Sequence, residues 1–328
     1  MTFHILITGR NIAPEAMALM NEHACQVAFG GAGDDATTIA RRVRRFRPDG
    51  IIVRKGKISR EVLEACPRLR AVCKHGVGVD NIDVAAATEL GIPVMITPSA
   101  NFESVAEHTL GLILTLFRNI HLQHAYTRSG GWSKSDYQGT DLLGKTLGLA
   151  GFGRIGSRLC ELVEPFRMKT LVYDPYLLSD QRPARAHQVA DLRDMLPLVD
   201  VLSIHTPLTP ETTGLIGKVE LALLGPQAYL VNTARGGVVD EVALIRALQD
   251  GAIRGAVLDT FEQEPPDPGN PLFGMDNVVV TNHVGGSSRN ALTRMGVDAA
   301  RNVLDVLSGK KPDPANIINP EALESQVL

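Results

Sequence analysis

The sequence predicts an α/β protein with two doubly wound parallel-sheet domains. Its 328 residues are long for one domain and sufficient for two, each with its own core. Short runs of aliphatic and β-branched residues alternate with helical stretches, which is typical of parallel strands covered by helices on both faces. A second alternating series begins at Thr146 and contains a glycine-rich turn. We therefore expect a separate sheet from that point onward.

The two series supply the predicted strands. In the first hundred residues the apolar runs lie at 4–7, 26–29, 50–53, 69–73 and 93–96, with helices expected at 61–66 and 83–90. In the second series they lie near 147–152, 169–174, 201–206, 228–234, 254–259 and 277–282. Six strands are the number in a complete doubly wound sheet.

Two predicted helices define how the domains are joined. Ser104 and Glu107 have the spacing of a capping box and predict a helix that runs to about Arg118. This helix is apolar nearly all round, so we expect it to cross between domains or to meet a second subunit in a homodimer.

The second helix lies near the end of the sequence, where apolar residues recur at helical spacing: Leu292, Met295, Ala299, Val303 and Val306. Gly309 ends this pattern, and the helix is expected to return the chain to the first domain. The predicted domains are therefore residues 1–99 with 288–328, and residues 100–287.

The glycine-rich turn is the most informative motif. Gly151, Gly153 and Gly156 follow an apolar strand and open a helix, and glycines at these places let the backbone approach a pyrophosphate. The unpaired N–H groups and the positive dipole end of that helix face the anion. Asp174 ends the next strand, at about the 20-residue spacing at which a carboxylate meets an adenosine ribose. The pattern predicts a Rossmann domain that binds a dinucleotide.

Asp174 also indicates which dinucleotide is bound. A carboxylate accepts hydrogen bonds from a ribose 2′-hydroxyl and repels a 2′-phosphate, and the residues that follow it, Pro175 and Tyr176, carry no positive charge. NAD is therefore expected in preference to NADP.

Composition narrows the class of partner. The 33 basic and 36 acidic residues are interspersed and give a formal charge of −3, which favours neither nucleic acid nor a membrane surface. The most apolar stretch, 110–117, is too short to span a bilayer, and the first residues lack a charged and then apolar leader, so a cytoplasmic protein is expected. The four cysteines lack metal or redox spacing, and we predict no disulfide and no metal.

Candidate catalytic residues follow predicted strands of the second domain, at the ends where open parallel sheets place ligands. Arg235 lies beside a glycine pair, and its guanidinium matches a carboxylate in two-point contact. His283 also precedes a glycine pair, and Glu264 is a carboxylate that could orient its imidazole for acid or base work. Alternatively, these residues are a turn cap, a structural histidine and a solvated charge. His205 fits a structural role better, with its imidazole hydrogen-bonded to loop backbone.

Five motifs in this order closely resemble the D-isomer-specific 2-hydroxyacid dehydrogenase family, most of all its phosphoglycerate dehydrogenase and hydroxypyruvate or glyoxylate reductase branch. They are residues 144–148 leading into the glycine run, 205–209, 232–240, 258–265 and 283–287. The similarity extends from about residue 53 to 309. It implies a flavodoxin-like substrate domain, a Rossmann NAD domain and an active site in a cleft that closes.

The resemblance also implies residue roles. Arg235 would bind the substrate carboxylate, His283 would exchange a proton with the substrate oxygen, and Glu264 would tune the imidazole. Besides the three glycines, the residues implied around NAD are Arg154, Ile155, Asp174, Thr206, Pro207, Thr212, Thr233, Ala234, Asp259 and Gly286. In the first domain, the implied substrate residues are Arg54, Asn101 and the loop at Gly76 and Val77, whose backbone N–H groups would hold a carboxylate.

Some alternatives stay open. Asn282 stands where the family usually has proline and Thr260 where it usually has an aliphatic residue, so substrate preference is expected to differ more than reaction type. Arg54, Lys55 and Lys74 suit a phosphate and favour 3-phosphoglycerate, although they are equally explained as solvated charges. Hydroxypyruvate and glyoxylate are the other expected substrates. A different class, an NAD-sensing corepressor without turnover, is the competing hypothesis.

Overall fold

The computed structural model describes residues 2–31, 33–135, 137–177 and 186–324. The chain falls into two compact units, Met1–Asn101 with Ser287–Leu328, and Phe102–Gly286. Each unit contains one parallel sheet, of five and seven strands. The predicted α/β class with two parallel-sheet domains is confirmed.

The first unit has the strand order of a flavodoxin-like sheet. Strands β1 to β5 are His4–Ile7, Gln26–Phe29, Gly50–Val53, Ala71–Lys74 and Val94–Met95. Helices α1 to α4 are Pro14–Glu22, Ala36–Phe46, Arg60–Glu64 and Val84–Glu89. The strands are parallel in the order β2-β1-β3-β4-β5.

Alternation along the strands places apolar side chains on both faces of this sheet. Ile5 and Ile7 belong to one buried cluster, whereas Leu6 between them belongs to the cluster on the other face. Helix α2 covers the second face with its buried Ile39 and Val43. The first unit therefore has a core on each side of its sheet.

The second unit has the doubly wound order of a nucleotide-binding sheet. Strands β6 to β12 are Thr146–Ala150, Lys169–Tyr173, His187–Gln188, Val201–Ile204, Tyr229–Asn232, Gly255–Leu258 and Val278–Val280. Helices α5 to α10 are Phe102–Phe117, Ile120–Arg128, Arg154–Val163, Leu192–Met195, Lys218–Leu224 and Glu241–Gln249. The strands are parallel in the order β12-β11-β10-β9-β6-β7-β8. The order reverses between β6 and β9, which is where such sheets bind ligands.

The C-terminal segment supplies the remaining helices, α11 at Arg289–Leu307 and α12 at Glu321–Glu324. Ser288 is the N-cap of α11, and its hydroxyl accepts the Ala291 N–H. The helix packs against α1, β3 and β4 of the first unit. Short 3-10 helices occupy Glu164–Phe166, Leu196–Leu198, Gly236–Val238, Pro271–Gly274 and Pro314–Asn316.

Two local predictions are wrong. The capping box at Ser104 and Glu107 does not start its helix, because α5 already begins at Phe102 and Ser104 lies buried inside its first turn. The second sheet has a seventh strand, β8, which the sequence analysis missed because two residues are too few to show an apolar pattern.

Two further properties concern only the described residues. None of their helices is both long enough and apolar enough to cross a membrane. Their four cysteines are free thiols, and all except Cys25 are buried.

Candidate active site

The glycine-rich turn connects β6 to α7 at the point where the strand order reverses. Gly151 has a φ of +98°, and a Cβ there would lie 2.8 Å from the carbonyl oxygen of His205, the residue that follows β9. A Cβ at Gly156 would lie 2.4 Å from the Gly151 oxygen. These two glycines therefore allow the turn to pass close to the neighbouring strand and to its own helix.

Gly153 differs from them, because a Cβ there would meet no other atom within 4 Å. It is the N-cap of α7, a helix of 10 residues, and as a glycine it has no side chain that could cap the helix. Open space at a helix N-terminus is what a pyrophosphate requires. The turn thus fits the predicted phosphate contact.

Asp174 follows β7 beside this turn. Its Oδ2 accepts the Phe152 N–H at 2.8 Å and its Oδ1 accepts the Tyr176 N–H at 2.9 Å. Each carboxylate oxygen has a second lone pair for a ribose hydroxyl. Nearby, the buried Thr206 hydroxyl after β9 has no hydrogen-bond partner among the described residues. A polar ligand would satisfy it, so these residues fit a dinucleotide.

The other residues predicted around NAD lie on five segments of the second unit. They are Arg154 and Ile155 at the start of α7, Pro207 and Thr212 after β9, Thr233 and Ala234 after β10, and Asp259 and Gly286 near the ends of β11 and β12. The hydroxyl of Thr212 donates to the Pro207 carbonyl at 2.6 Å and closes that loop. The hydroxyl of Thr233 is 2.9 Å from that of Thr109 on α5.

Arg235 is held by a buried amide. The Asn232 side chain, at the end of β10, donates to the Arg235 carbonyl at 2.9 Å and accepts the Ala234 N–H at 3.1 Å. The next residue, Gly236, has no room for a side chain, because a Cβ would lie 1.8 Å from the carbonyl carbon of Phe261. The loop that carries Arg235 therefore packs directly against the loop that leads to Glu264.

Glu264 and His283 form a hydrogen-bonded pair. The imidazole Nδ1 lies 2.7 Å from Glu264 Oε2, while Oε1 accepts the Phe261 N–H at 3.2 Å. The side chain of His283 is 48 % exposed and that of Glu264 38 %, so solvent and ligands reach the pair. Burial acts to raise the pKa of Glu264, but the hydrogen bond and charge of His283 and the charge of Arg235 hold that pKa below its ordinary value.

Asp259, one of the residues predicted around NAD, is buried and hydrogen-bonded within the second unit. It is 2 % exposed, and its oxygens accept the Thr281 hydroxyl at 2.5 Å and the Val284 and Gly285 N–H groups at 2.8 and 2.9 Å. Burial would raise the pKa of Asp259, but hydrogen bonds with His108, Thr281 and the two backbone N–H groups lower it. Asp259 thus fixes the backbone around His283, and its place among the residues around NAD stays a prediction.

Three positioning residues were not predicted. Asn232 and Thr281 are polar residues at the ends of apolar strands, and that position was the available signal for both. His108 lies on α5, where its Nε2 is 3.3 Å from the Thr281 hydroxyl. These two residues are 173 positions apart in the chain, so no local pattern pointed to their contact.

Asn282 and Thr260, the two residues that depart from the family pattern, differ in exposure. Asn282 is exposed, whereas Thr260 is 1 % exposed and its buried hydroxyl has no hydrogen-bond partner among the described residues. The His205 prediction needs correction, because its Nε2 lies 2.9 Å from the Ser203 hydroxyl rather than against loop backbone.

The residues predicted to bind substrate in the first unit lie near strand ends. Arg54 follows β3 and donates to the carbonyl and side-chain oxygens of Asn11, and burial lowers its pKa. Gly76 has a φ of +138°, and its N–H donates to the Thr97 hydroxyl at 3.1 Å. The Gly76 N–H thus has a partner within the first unit, and its contact with a substrate carboxylate stays a prediction. Val77 is 42 % exposed, and Asn101 immediately precedes α5.

No group of three His, Cys, Asp or Glu side chains lies close enough to hold a metal ion within the parts of the chain that the structure describes.

Comparison with known proteins identifies the family. The family model described as "D-isomer specific 2-hydroxyacid dehydrogenase, NAD binding domain" matches residues 110–285. The chain is 42 % identical to the D-3-phosphoglycerate dehydrogenase of Methanocaldococcus jannaschii over 282 residues, which are 85 % of this chain and 53 % of that protein.

Two solved structures are similar over nearly their whole length. The TT0316 protein from Thermus thermophilus superposes with a TM-score of 0.88 at 34 % identity, covering 96 % of this chain and 99 % of that one. The NADPH-dependent glyoxylate/hydroxypyruvate reductase SmGhrB from Sinorhizobium meliloti, in complex with NADP and malonate, gives a TM-score of 0.82 at 30 % identity and covers 97 % of each chain.

The chain spans little more than half the length of the curated relatives that it matches. The family match nevertheless covers more than half of the chain and includes the glycine turn, Asp174, Arg235 and Glu264. The resemblance predicted from the motifs is confirmed. This chain belongs to the D-isomer-specific 2-hydroxyacid dehydrogenase family and carries that family's NAD-binding domain.

Proposed function

We propose that the chain is an NAD-dependent dehydrogenase that interconverts a small D-2-hydroxyacid and its 2-ketoacid. The observation that carries this proposal is the 2.7 Å contact between His283 and Glu264, in the same unit as the glycine turn. Both residues follow strands at the ligand-binding edge of a doubly wound sheet. Two of the proteins reported above are named as a dehydrogenase and a reductase, which favours turnover over the NAD-sensing alternative.

His283 is proposed to move the proton. Glu264 accepts a hydrogen bond from the Nδ1–H group of His283, which leaves Nε2 for the substrate. Nε2 gives a proton to the ketone oxygen in reduction and takes it from the hydroxyl in the reverse direction. The adjacent carboxylate stabilises the imidazolium and fixes the orientation of the ring. Glu264 thereby acts through His283 rather than on the substrate.

Arg235 is proposed to bind the substrate carboxylate. Its planar guanidinium makes two parallel hydrogen bonds with a carboxylate, which sets both distance and orientation. The Asn232 side chain holds the Arg235 backbone, so the position of the guanidinium depends on a buried residue. This orientation would present the ketone carbon for reduction.

The cofactor is proposed to be held at the glycine turn. Gly151, Gly153 and Gly156 with Arg154 and Ile155 would receive the pyrophosphate, and Asp174 would receive the adenosine ribose. When bound, NAD supplies the hydride acceptor, and NADH the hydride donor. The remaining proposed contacts with NAD are Thr206, Pro207, Thr212, Thr233, Ala234 and Gly286.

Arg54, Val77 and Asn101 of the first unit are proposed as substrate-binding residues, with the Gly76 backbone shaping the loop. Arg54 would bring a positive charge whose position depends on its contacts with Asn11. Lys74, in the same unit, donates to the Asn81 side-chain oxygen at 2.7 Å. A phosphorylated substrate would be favoured by these charges.

We propose 3-phosphoglycerate as the substrate, with hydroxypyruvate or glyoxylate as the alternatives. The first is supported by similarity to a relative named D-3-phosphoglycerate dehydrogenase, and the others by similarity to a relative named glyoxylate/hydroxypyruvate reductase. The test is NADH oxidation by purified protein with 3-phosphohydroxypyruvate, hydroxypyruvate, glyoxylate and pyruvate, repeated with NADPH. We expect the highest kcat/KM for 3-phosphohydroxypyruvate with NADH. NADH binding without turnover of any 2-ketoacid would contradict the dehydrogenase.

A homodimer in the cytoplasm is also proposed. Helix α6 and the segment after it leave large apolar side chains exposed: Ile120 at 51 %, Tyr126 at 42 %, Trp132 at 80 % and Leu143 at 64 %. A surface of this kind is typical of an interface between copies. Sedimentation velocity should give twice the mass of the chain, and Ile120→Asp should give the single mass. Free thiols are consistent with a reducing compartment.

A further inference from the structure

A cavity of about 450 Å³ lies in the first unit, between the edge strand β2 and helix α2. Its apolar lining consists of Leu6, Ala28, Phe29 and Phe46. Leu6 is buried, whereas Phe29 is 37 % exposed. The volume lies within the range of small-molecule sites, which are mostly apolar with a few polar groups. We call this cavity the β2–α2 pocket.

The polar part of the lining comes from one face of α2. Thr38, Arg41, Arg42 and Arg45 all line the pocket and recur at the spacing of a single helix face. The opposite face carries the buried core residues of α2, so this orientation is set by the packing of the helix. Three guanidinium groups are thereby held beside an apolar cavity.

The charges of these arginines are only partly neutralised. Arg42 pairs with Asp34 at 2.6 Å. Arg41 donates a hydrogen bond to the Thr38 hydroxyl at 3.1 Å and has an electrostatic interaction with Asp35. The Asp35 carboxylate itself caps α2 by accepting the Thr38 N–H. Neither Arg41 nor Arg45 has a carboxylate within 4 Å among the side chains that the structure describes. An anion would therefore find two available guanidinium groups.

We propose that the β2–α2 pocket binds a small organic carboxylate with an apolar body. The ring or short acyl chain occupies the cavity beside Phe29 and Phe46, and the carboxylate lies between Arg41 and Arg45. The apolar lining alone would bind any apolar molecule of suitable size, and the two arginines add selectivity for an anion. The site uses none of the residues assigned to NAD or to the dehydrogenase reaction, so it stands independently of the proposed function.

The test uses the fluorescent probe 8-anilino-1-naphthalenesulfonate, which has an apolar body and one anionic group. The full chain is titrated in the presence of saturating NAD⁺, so that the probe cannot report on the nucleotide site. We expect saturable binding that octanoate displaces and that the uncharged octanol does not. Equal displacement by octanol would overturn the assignment of a carboxylate site.

Two variants locate the probe. The double variant Arg41→Gln with Arg45→Gln should bind it at least tenfold more weakly, because both charge-assisted contacts are lost. Arg44→Gln is the matched control, since Arg44 lies on the same helix but pairs with Glu61 at 2.9 Å and does not line the pocket. Unchanged binding in the double variant, or an equal loss in the control, would overturn the proposal. All three arginines are exposed, and an unchanged melting temperature establishes that the variants fold.

Discussion

The imidazole Nδ1 of His283 lies 2.7 Å from Oε2 of Glu264, and the backbone of this histidine has a φ of +57°. A non-glycine residue in the left-handed region costs free energy and persists only where its surroundings hold it. Asp259 supplies that hold by accepting the N–H groups of the next two residues. The buried carboxylate of Asp259 thus fixes the backbone of His283, and the exposed carboxylate of Glu264 fixes the orientation of its ring.

Replacing His283 with glutamine should lower kcat by about two to four orders of magnitude, the usual contribution of a positioned acid or base. Equilibrium binding of NADH should be nearly unchanged, because the glycine turn is untouched. Stopped-flow fluorescence and steady-state kinetics measure the two quantities separately. A variant that retains near-normal kcat would exclude His283 from proton transfer.

Glu264→Gln tests the contribution of the Glu264 charge to the acid and base function of His283. The pKa of Glu264 is held below its ordinary value, so its charge persists as the pH falls through the range where a free glutamate is protonated. Without that charge the imidazolium form of His283 is less stable. Ketone reduction needs this protonated form, so as the pH rises the activity of the variant should begin to decline at a lower pH than the activity of the native protein. An unshifted pH profile would mean that the contact is only structural.

The Arg235 guanidinium should affect substrate binding and turnover together. Arg235→Ala removes both hydrogen bonds to the carboxylate, and we expect KM to rise and kcat to fall. Arg235→Lys keeps the charge and loses the two-point geometry, so it should restore part of KM and little of kcat. Steady-state kinetics with the best ketoacid provide the measurement, and a normal KM in the alanine variant would argue against the carboxylate contact.

Two glycines of the same turn should respond differently to alanine. Gly153→Ala adds a methyl group to open space, so the protein should fold normally but bind NADH at least tenfold more weakly, a loss of about 1.4 kcal/mol. Gly156→Ala places a Cβ 2.4 Å from the Gly151 oxygen and should destabilise the fold by about 1 to 3 kcal/mol. Thermal unfolding and NADH titration of both variants distinguish the two effects. Equal behaviour of the variants would contradict the different roles assigned to these glycines.

Most of the site could be predicted because strand ends are visible in a sequence. Arg235 and His283 follow apolar strands, and in a parallel sheet such ends share one edge, so their proximity to Glu264 follows from topology. Contacts across the fold had no such signal. The approach of His108 to Thr281, and the use of the Gly76 N–H by Thr97, depend on tertiary packing that no local pattern encodes.

Secondary structure shows the same division. The strand Gly50–Val53 is continuously apolar and was predicted with its observed bounds, whereas the strand His187–Gln188 is polar and too short to carry a period. The start of α5 was misplaced because Ser104 and Glu107 match a capping pattern equally well inside a first turn. A local motif therefore indicated the helix but not its first residue.

Thr260 offers a test of a polar group without a partner. Its hydroxyl is buried and has no hydrogen bond among the described residues, so Thr260→Val keeps the shape and removes the desolvation penalty. We expect an increase of about 1 kcal/mol in the free energy of unfolding, measured with urea. Thr109→Val is the control, because that buried hydroxyl donates to the Val105 carbonyl at 2.7 Å, and its loss should destabilise the protein. A decrease in the Thr260 variant would indicate that its hydroxyl is satisfied in solution.

His205, a half-buried residue whose ring Nδ1 is buried, should make the protein less stable in mild acid. Burial lowers its pKa from 6.5 to about 3, so the folded protein keeps the ring neutral while the unfolded chain takes up a proton. Proton uptake by the unfolded state alone means that stability falls as the pH drops below 6.5, and the fall continues until the folded pKa is reached.

Between pH 7 and 5 this one ring should account for roughly 2 kcal/mol of lost stability. That window lies above the ordinary pKa of the carboxylates, so their contribution is small there. His205→Gln carries no titrating group and should lose less stability than the native protein over the same range. Urea unfolding of both proteins at pH 7 and pH 5 gives the comparison. Because His75 is also buried, with its pKa lowered to about 4 by desolvation and the charge of Arg54, the variant should retain part of the pH dependence. Parallel curves for the two proteins would show that His205 is not buried as a neutral ring.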